Sequence, residues 1–333
     1  MQIWVLRDNK IGSNRQAEVL AKALGSNVTN KNIVYNMFMC LPNVIRPWKL
    51  GINFKKSDNL LSDNEIPDII ISAGRRLAGV AIFLKKYFKT GLNRKIKLIS
   101  ILNPNCNFRN FDLVILPLHD KARHSNNNGN VIYINGSLCD TEISVTDQVK
   151  NYWHKKLEGA KTPFFSLLVG GDVKGHRMDP VKFALMVRKV SNYVSDMEGT
   201  LLLSTSRRTN NLCMEKAKKW LKCDHYLYKW TENDDIPNPY YLFVEKSSII
   251  FITGDSISMI SETVTAGKST YVYMPSELGG TKQESFCKNL FEKDMAREID
   301  QSENIIEEFK GDEPLNELKN VLKFIENNVP ELC

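Results

Sequence analysis

The residues with the most evident chemical potential lie in 249–275, IIFITGDSISMISETVTAGKSTYVYMP. A run of β-branched and aromatic residues delivers Gly254-Asp255-Ser256 to the start of a helical pattern carrying Ser258, Ser261 and Glu262. The first N–H groups of such a helix lack intrahelical partners and form an anion site. Asp255 or Ser256 is expected to cap it. Glu262 lies too far along to cap, and a carboxylate one or two turns into the helix can accept hydrogen bonds from the two hydroxyls of a ribose. The same spacing also describes an ordinary capped crossover helix with Glu262 in solvent, so at this level both readings stand.

The elements that position these residues follow from hydrophobic periodicity. Residues 3–6 read as a strand, 8–14 as a polar turn, and Ala17, Leu20, Ala21 and Leu24 mark a helix. Further strands are expected at 67–72, 97–102, 111–116 and 131–134, with a helix over 77–87; residues 35–62 carry no assignable pattern. After a break near 152–163 the alternation restarts. Strands are expected at 164–169, 201–204, 248–253 and 270–274, a helix at 180–194, and a closing helical pattern over 304–327. Continuous apolar strands separated by helices imply parallel sheets covered on both faces. The expected fold is therefore α/β, with two Rossmann-like doubly wound domains facing across a cleft. Residues 1–158 form the first domain, 159–310 the second, and 311–333 a helix packing back toward the first. Ligands of such sheets bind beyond the carboxyl ends of the strands.

Composition narrows the partners. Of 333 residues 42% are hydrophobic and 25% charged, with 45 basic and 38 acidic side chains for a net charge of +7. Residues 1–160 hold 23 basic and 12 acidic groups, the remainder 22 and 26. Between Arg75 and Lys97 stand eight basic residues and no acidic one. This asymmetry points to an anionic partner for the first half, or to a solvated basic face. The 77–89 helix, LAGVAIFLKKYFK, places Leu77, Val80, Ala81, Leu84 and Phe88 on one stripe, with Lys85, Lys86 and Lys89 as a basic edge suited to anionic lipid. No apolar run reaches the roughly 18 residues of a membrane-spanning helix. No nucleic-acid recognition motif is present. Seven scattered cysteines without a C-x-x-C pair suggest reduced thiols and a cytoplasmic setting.

The segment G-D-S-I-S-M-I-S-E followed by G-K and a strand resembles the ELM (elongated mitochondria) family. IWVLRDNKIGSNRQAEVLAKAL, PDIIISAGRR, FDLVILPLHD, LLVGGDVKGHRM and LLLSTSRRT resemble further blocks of that family in order, so the similarity spans nearly the whole chain. Its bacterial members are classed with glycosyltransferases, and the family is similar in turn to GT-B enzymes that use UDP-sugars at membranes. The resemblance implies a glycosyltransferase that moves a sugar from a nucleoside diphosphate donor, UDP first, to an acceptor that could be lipid-linked, in bacterial envelope glycan synthesis. It implies a donor site at Gly170, Gly171, Arg207, Arg208, Ser256, Ser258, Glu262, Thr281 and Lys282, with Glu262 on the ribose and the glycines letting backbone approach phosphate. Paired guanidinium donors suit a diphosphate, and no metal is demanded.

In the first half, the resemblance places acceptor or anion contacts at Gly12, Ser13, Arg75 and Arg76. Many bacterial relatives are expected to carry Gly-His where this chain has Gly12-Ser13, which leaves Asp8, His119 and Asp120 as candidates for the base. The rival class is an interaction protein on a degenerate GT-B scaffold, since the plant branch is associated with recruiting the mitochondrial division machinery. A nucleotide-sugar epimerase is disfavoured, because the opening loop lacks G-x-G-x-x-G and no Y-x-x-x-K stands at an expected site.

Overall fold

The computed structural model describes residues 1–40, 49–61, 65–123, 129–173, 175–232, 235–275, 278, 280–299, 306–311 and 315–332. The chain divides into two compact units, 1–139 with 316–333, and 140–315.

In the first unit β1 (Gln2–Arg7), β2 (Asn27–Asn32), β3 (Ile69–Ala73), β4 (Lys97–Ile101), β5 (Leu113–Pro117) and β6 (Val131–Ile134) form a parallel sheet in the order 2-1-3-4-5-6. Its continuous apolar strands are buried on both faces, as their composition demands. Trp4, Leu6, Ile70, Leu98 and Val114 point to one side, and Ile3, Val5, Ile69, Ile71, Ile99 and Leu113 to the other. Helix α1 (Ile11–Leu24) sets Ala17, Leu20 and Ala21 on the second face. Helix α2 (Arg75–Leu92) covers the first face with the stripe expected from sequence, Leu77, Val80, Ala81, Leu84 and Phe88. Both helices start earlier than their apolar periodicity does: Gly12 and Ser13 lie in the first turn of α1, and Arg75 and Arg76 in that of α2. Strand β2, sequence NVTNKN, has no apolar alternation to announce it; it pairs with β1 from Gln2↔Asn27 to Arg7↔Asn32 at the sheet edge.

The second unit contains α3 (Asp147–Lys156), β7 (Phe164–Val169), α4 (Pro180–Asp196), β8 (Thr200–Thr205), α5 (Asn211–Lys218), β9 (Asp224–Tyr228), α6 (Tyr240–Lys246), β10 (Ile249–Thr253), α7 (Ile257–Thr265), β11 (Ser269–Tyr273), α8 (Thr281–Glu292) and β12 (Arg297–Glu298). Its strands are all parallel, in the order 12-11-10-7-8-9. Phe165, Leu167, Leu201, Leu203 and Phe251 face α4 and α5; Leu168, Ile250, Ile252 and Val272 face α7 and α8. The division between units falls at 139/140, ahead of the break anticipated near 158. The cause is Trp153 of α3, which packs edge-on against Phe243 at 5.1 Å and donates its Nε1 to the Pro237 carbonyl at 2.7 Å.

The closing helical pattern narrows to α9 (Glu317–Asn328), N-capped by the Asn316 side chain; residues 306–311 are not helical. Val321 and Ile325 bury on the first unit beside Leu20 and Ile134. Glu331 just beyond pairs with Lys97 at 3.0 Å.

In each sheet the chain departs in opposite directions from a central pair of strands, β1 and β3 in the first unit, β7 and β10 in the second. The crevice beyond the carboxyl ends of such a pair is where doubly wound sheets hold ligands.

Candidate functional site

In the second unit β8, β7, β10 and β11 are consecutive neighbours, so the loops that follow them share one end of the sheet. These loops carry Arg207-Arg208, Gly170-Gly171 and Asp255-Ser256, and Thr281-Lys282 opens the helix that follows β11; hydrogen bonds join the first three segments. At their centre is the Asp255 carboxylate, whose side chain is 0% exposed. It accepts from the Thr253 hydroxyl at 2.7 Å, from Gly171 N–H at 3.0 Å and from Arg208 Nη2 at 2.7 Å. Thr253 in turn accepts from Gly170 N–H at 2.7 Å. Burial pushes the Asp255 carboxyl up from its ordinary range, against the opposing pull of Arg208, Thr253 and Gly171.

Two expectations change here. Asp255 does not cap α7 but turns back into the sheet end, and Ser256, at the N-cap position, makes no side-chain cap bond. The amides of Gly170 and Gly171, expected to meet phosphate, are engaged by Thr253 and Asp255. These glycines instead permit close packing. A Cβ on Gly170 would stand 2.2 Å from Asp255 Oδ1, and one on Gly171, whose φ is +159°, would stand 1.9 Å from the Arg208 carbonyl. Ser206 donates to the Gly170 carbonyl at 2.8 Å, which ties the β8 loop to the β7 loop.

Around this fixed floor lie groups that a ligand can reach. Arg207 is exposed. Arg208, anchored by one nitrogen to Asp255, keeps 37% of its side chain exposed. Neither Ser256 before α7 nor Gly280 before α8 makes a side-chain cap bond, and the positive end of each helix dipole lies at these starts. Ser258 is half-buried in the first turn of α7, while Thr281 and Lys282 are exposed in that of α8. Glu262 is half-buried, one oxygen accepting from the Tyr241 hydroxyl at 3.0 Å. His176 lies beside the α8 terminus, its Nε2 3.4 Å from where a Gly280 Cβ would sit. Lys174 and Gly279 fall outside the described residues.

In the first unit, Asp8 and the Arg75-Arg76 pair follow the neighbouring strands β1 and β3. Asp8 accepts from Lys10 N–H at 2.9 Å and from the Tyr35 hydroxyl at 3.0 Å, and the Arg76 guanidinium lies 5.6 Å over the Tyr35 ring. Helix α2 starts at Gly74, with φ +82° and no side-chain cap, and α1 also lacks one. Arg75 is exposed. The structure does not bring the three base candidates together. His119 and Asp120 follow β5, three strand spacings from β1, or about 14 Å. His119 Nε2 is 4.0 Å from Asp120 Oδ1, and Asp120 is buried. Among the lysines of the α2 edge, Lys85 is bound to Asp112 at 2.8 Å, leaving Lys86 and Lys89 exposed.

The sequence reading missed Tyr35, Tyr241 and the buried polar pair Asn14 and Gln16. Asn14 shapes the Asp8 loop by accepting from Asp8 N–H at 3.1 Å and donating to its carbonyl at 2.6 Å. Its signal was available: Asn14 sits three and seven residues before Ala17 and Ala21, a polar residue on the buried stripe. Among the described residues no helix is long and apolar enough to cross a membrane, and no group of three or more His, Cys, Asp and Glu could hold a metal ion.

Two doubly wound parallel α/β units in one chain define a protein of the GT-B type. The glycosyltransferase SnogD from Streptomyces nogalater shares the fold with a TM-score of 0.51 at 10% identity, over 100% of this chain and 97% of that one. UDP-GlcNAc 2-epimerase from Methanocaldococcus jannaschii does so with a TM-score of 0.50 at 10% identity, over 99% and 93%. The chain belongs to the mitochondrial fission ELM1 family, whose profile matches residues 11–328. An uncharacterized protein of Rickettsia prowazekii (strain Madrid E) is 29% identical over 98% of both chains. The mitochondrial fission protein ELM1 of Arabidopsis thaliana is 22% identical over 75% of this chain and 61% of the plant protein.

Proposed function

We propose that the chain transfers a sugar from a nucleoside diphosphate donor, UDP first among them, to an acceptor hydroxyl. One observation supports the reading: the four adjacent strands β8, β7, β10 and β11 across the switch point are followed in the chain by two arginines, by two helix starts without side-chain caps, and by a glutamate bound by Tyr241. Arg207, Arg208, Lys282 and the termini of α7 and α8, with Ser256, Ser258 and Thr281, receive the diphosphate. Glu262 receives the ribose, and Gly170 and Gly171 form the floor. The acceptor oxygen attacks the anomeric carbon as the bond to the diphosphate breaks. Positioned cations and N–H dipoles stabilise the departing charge, the task a divalent ion performs in other sites. Asp8 is the candidate for taking the acceptor proton, and Arg75 and Arg76 of α2, with Gly12 and Ser13 of α1, suit a phosphorylated, lipid-linked acceptor of bacterial envelope glycan synthesis at the inner face of a membrane. The fold neighbours named for glycosyl transfer and for UDP-GlcNAc chemistry support the donor class. Isothermal titration with UDP, GDP and ADP tests it: one of them binds and Glu262→Ala weakens binding, whereas silence from all three at millimolar concentration ends the proposal.

A second reading, a binding scaffold without turnover, is favoured by the state of the base candidates. Both Asp8 oxygens accept hydrogen bonds, and Asp120 is buried. Donor hydrolysis that disappears in Arg207→Ala and Glu262→Ala supports the enzyme; tight binding with no turnover supports the scaffold.

A further inference from the structure

We propose that residues 33–40 and 49–61, between β2 and β3, form a docking surface that inserts apolar side chains into an anionic bilayer. This deepens the membrane part of the reading above and stands apart from donor binding. The described limbs of the excursion, 33–40 and 49–61, are fastened to each other. Tyr35 bridges Ile52, Asn36 N–H donates to the Gly51 carbonyl at 3.1 Å, and Asn53 N–H to the Val34 carbonyl at 2.9 Å. The Asn36 side chain adds donations to the Leu50 and Ile52 carbonyls at 2.8 and 3.2 Å. Tyr35 and Ile52 pack on the core, so the excursion has a fixed base. It presents apolar side chains outward. Met37 is 81% exposed, Phe38 45% and Phe54 40%, with Leu50 and Val34 also exposed. Clustered exposed apolar side chains of this size mark an interaction site in a water-soluble unit.

The surrounding charge selects the partner. Lys49 adjoins Leu50, Lys55 and Lys56 follow Phe54, and all three are exposed. Phe54 stacks edge-on against Phe83 of α2 at 5.8 Å, and Lys86 lies one turn along from Phe83. The described acids of the excursion are engaged elsewhere: Asp58 accepts from the N–H and side chain of Asn32, and Glu65 pairs with Lys31 at 3.5 Å. Apolar side chains among unopposed lysines suit a fluid anionic surface, where acyl chains receive the first and headgroups the second without fixed pairing geometry. Lysine, a compact charge on a flexible stem, serves this better than the planar pairing demanded by a carboxylate surface on a protein.

Vesicle co-sedimentation tests the assignment, using phosphatidylcholine containing roughly one-third phosphatidylserine, against phosphatidylcholine alone. The wild type is expected to bind the anionic vesicles and to release as salt rises. Met37→Ser with Phe38→Ser lowers partitioning by on the order of tenfold. Lys55→Glu with Lys56→Glu lowers it further, since each lost cation alone is worth about fivefold. Lys218→Glu with Lys219→Glu, exposed on the second unit, leaves it unchanged. Melting midpoints and nucleotide titration of the variants match the wild type, so a failed nucleotide site and a failed membrane surface are told apart. Absence of wild-type binding, or equal loss in the second-unit variant, overturns the proposal. So does a wild-type dimer that Met37→Ser with Phe38→Ser converts to monomer while vesicle binding persists, because the surface then belongs to a second copy.

Discussion

Replacing Asp255 by alanine removes the acceptor shared by Gly171, Thr253 and Arg208, and the size of the loss follows from their burial. Gly171 N–H is left buried without a partner, at a cost of roughly 1–3 kcal/mol. Removing one member of a fully buried ion pair costs about 3–5 kcal/mol. Arg208, however, is 37% exposed and rehydrates, so its share falls toward ~1 kcal/mol. The expected total is roughly 2–4 kcal/mol, a fall of roughly 5–15 °C in the melting midpoint of residues 140–315. Gly170→Ala supplies the control. Its new Cβ would stand 2.2 Å from Asp255 Oδ1, an overpacking cost of roughly 1–3 kcal/mol. In the Asp255→Ala background the nearest opposing atoms are gone, so the double variant is destabilised by about 1–2 kcal/mol less than the sum of the singles. Denaturant unfolding of the four proteins measures this coupling. Additivity within about 0.5 kcal/mol, or an Asp255→Ala variant as stable as wild type, would refute the view that these loops are locked through one carboxylate.

Two further outcomes test other contacts. Tyr241→Phe removes the hydroxyl that holds Glu262 at 3.0 Å, and nucleotide affinity is expected to fall about two- to tenfold while Glu262→Ala erases any preference for UDP over 2′-deoxy-UDP; unchanged affinity in Tyr241→Phe leaves the tyrosine a packing role only. The Glu331 carboxylate is held below its ordinary range by its own backbone N–H and by Lys97. Burial pulls Lys97 down, yet Glu331 and Asp112 outweigh it and hold the ammonium above its ordinary range. A depressed carboxylate stabilises the fold above its unfolded value and ceases to as pH falls through the folded one, whereas a raised lysine contributes fully at neutral pH and is lost only in strong alkali. The gap in melting midpoint between wild type and Glu331→Gln is therefore present at neutral pH and closes as pH falls below the ordinary carboxylate range; a gap that persists undiminished in strong acid would remove this contact from the docking of α9.

The sequence by itself determined that this is a doubly wound α/β chain, because strands buried on both faces must be continuously apolar. Residues 69–73, 164–169 and 249–253 meet that demand without help from context. It also determined which strand ends carry Gly170, Arg208 and Asp255, and that Glu262 lies in the helix after the last of them. Edge strands β2, β9 and β12 escaped it, since a strand covered on one side or only in part has no need of the pattern. The tertiary structure alone decided what these residues do to one another. Gly171 and Asp255 are 84 positions apart, Arg208 and Asp255 47, and they meet because β8, β7 and β10 lie side by side. Local periodicity records the conformation of a segment. Strand order is settled by burying both faces of the whole sheet at once, and that order turned the expected helix cap, Asp255, inward to bind Gly171, one of the two glycines expected to meet phosphate.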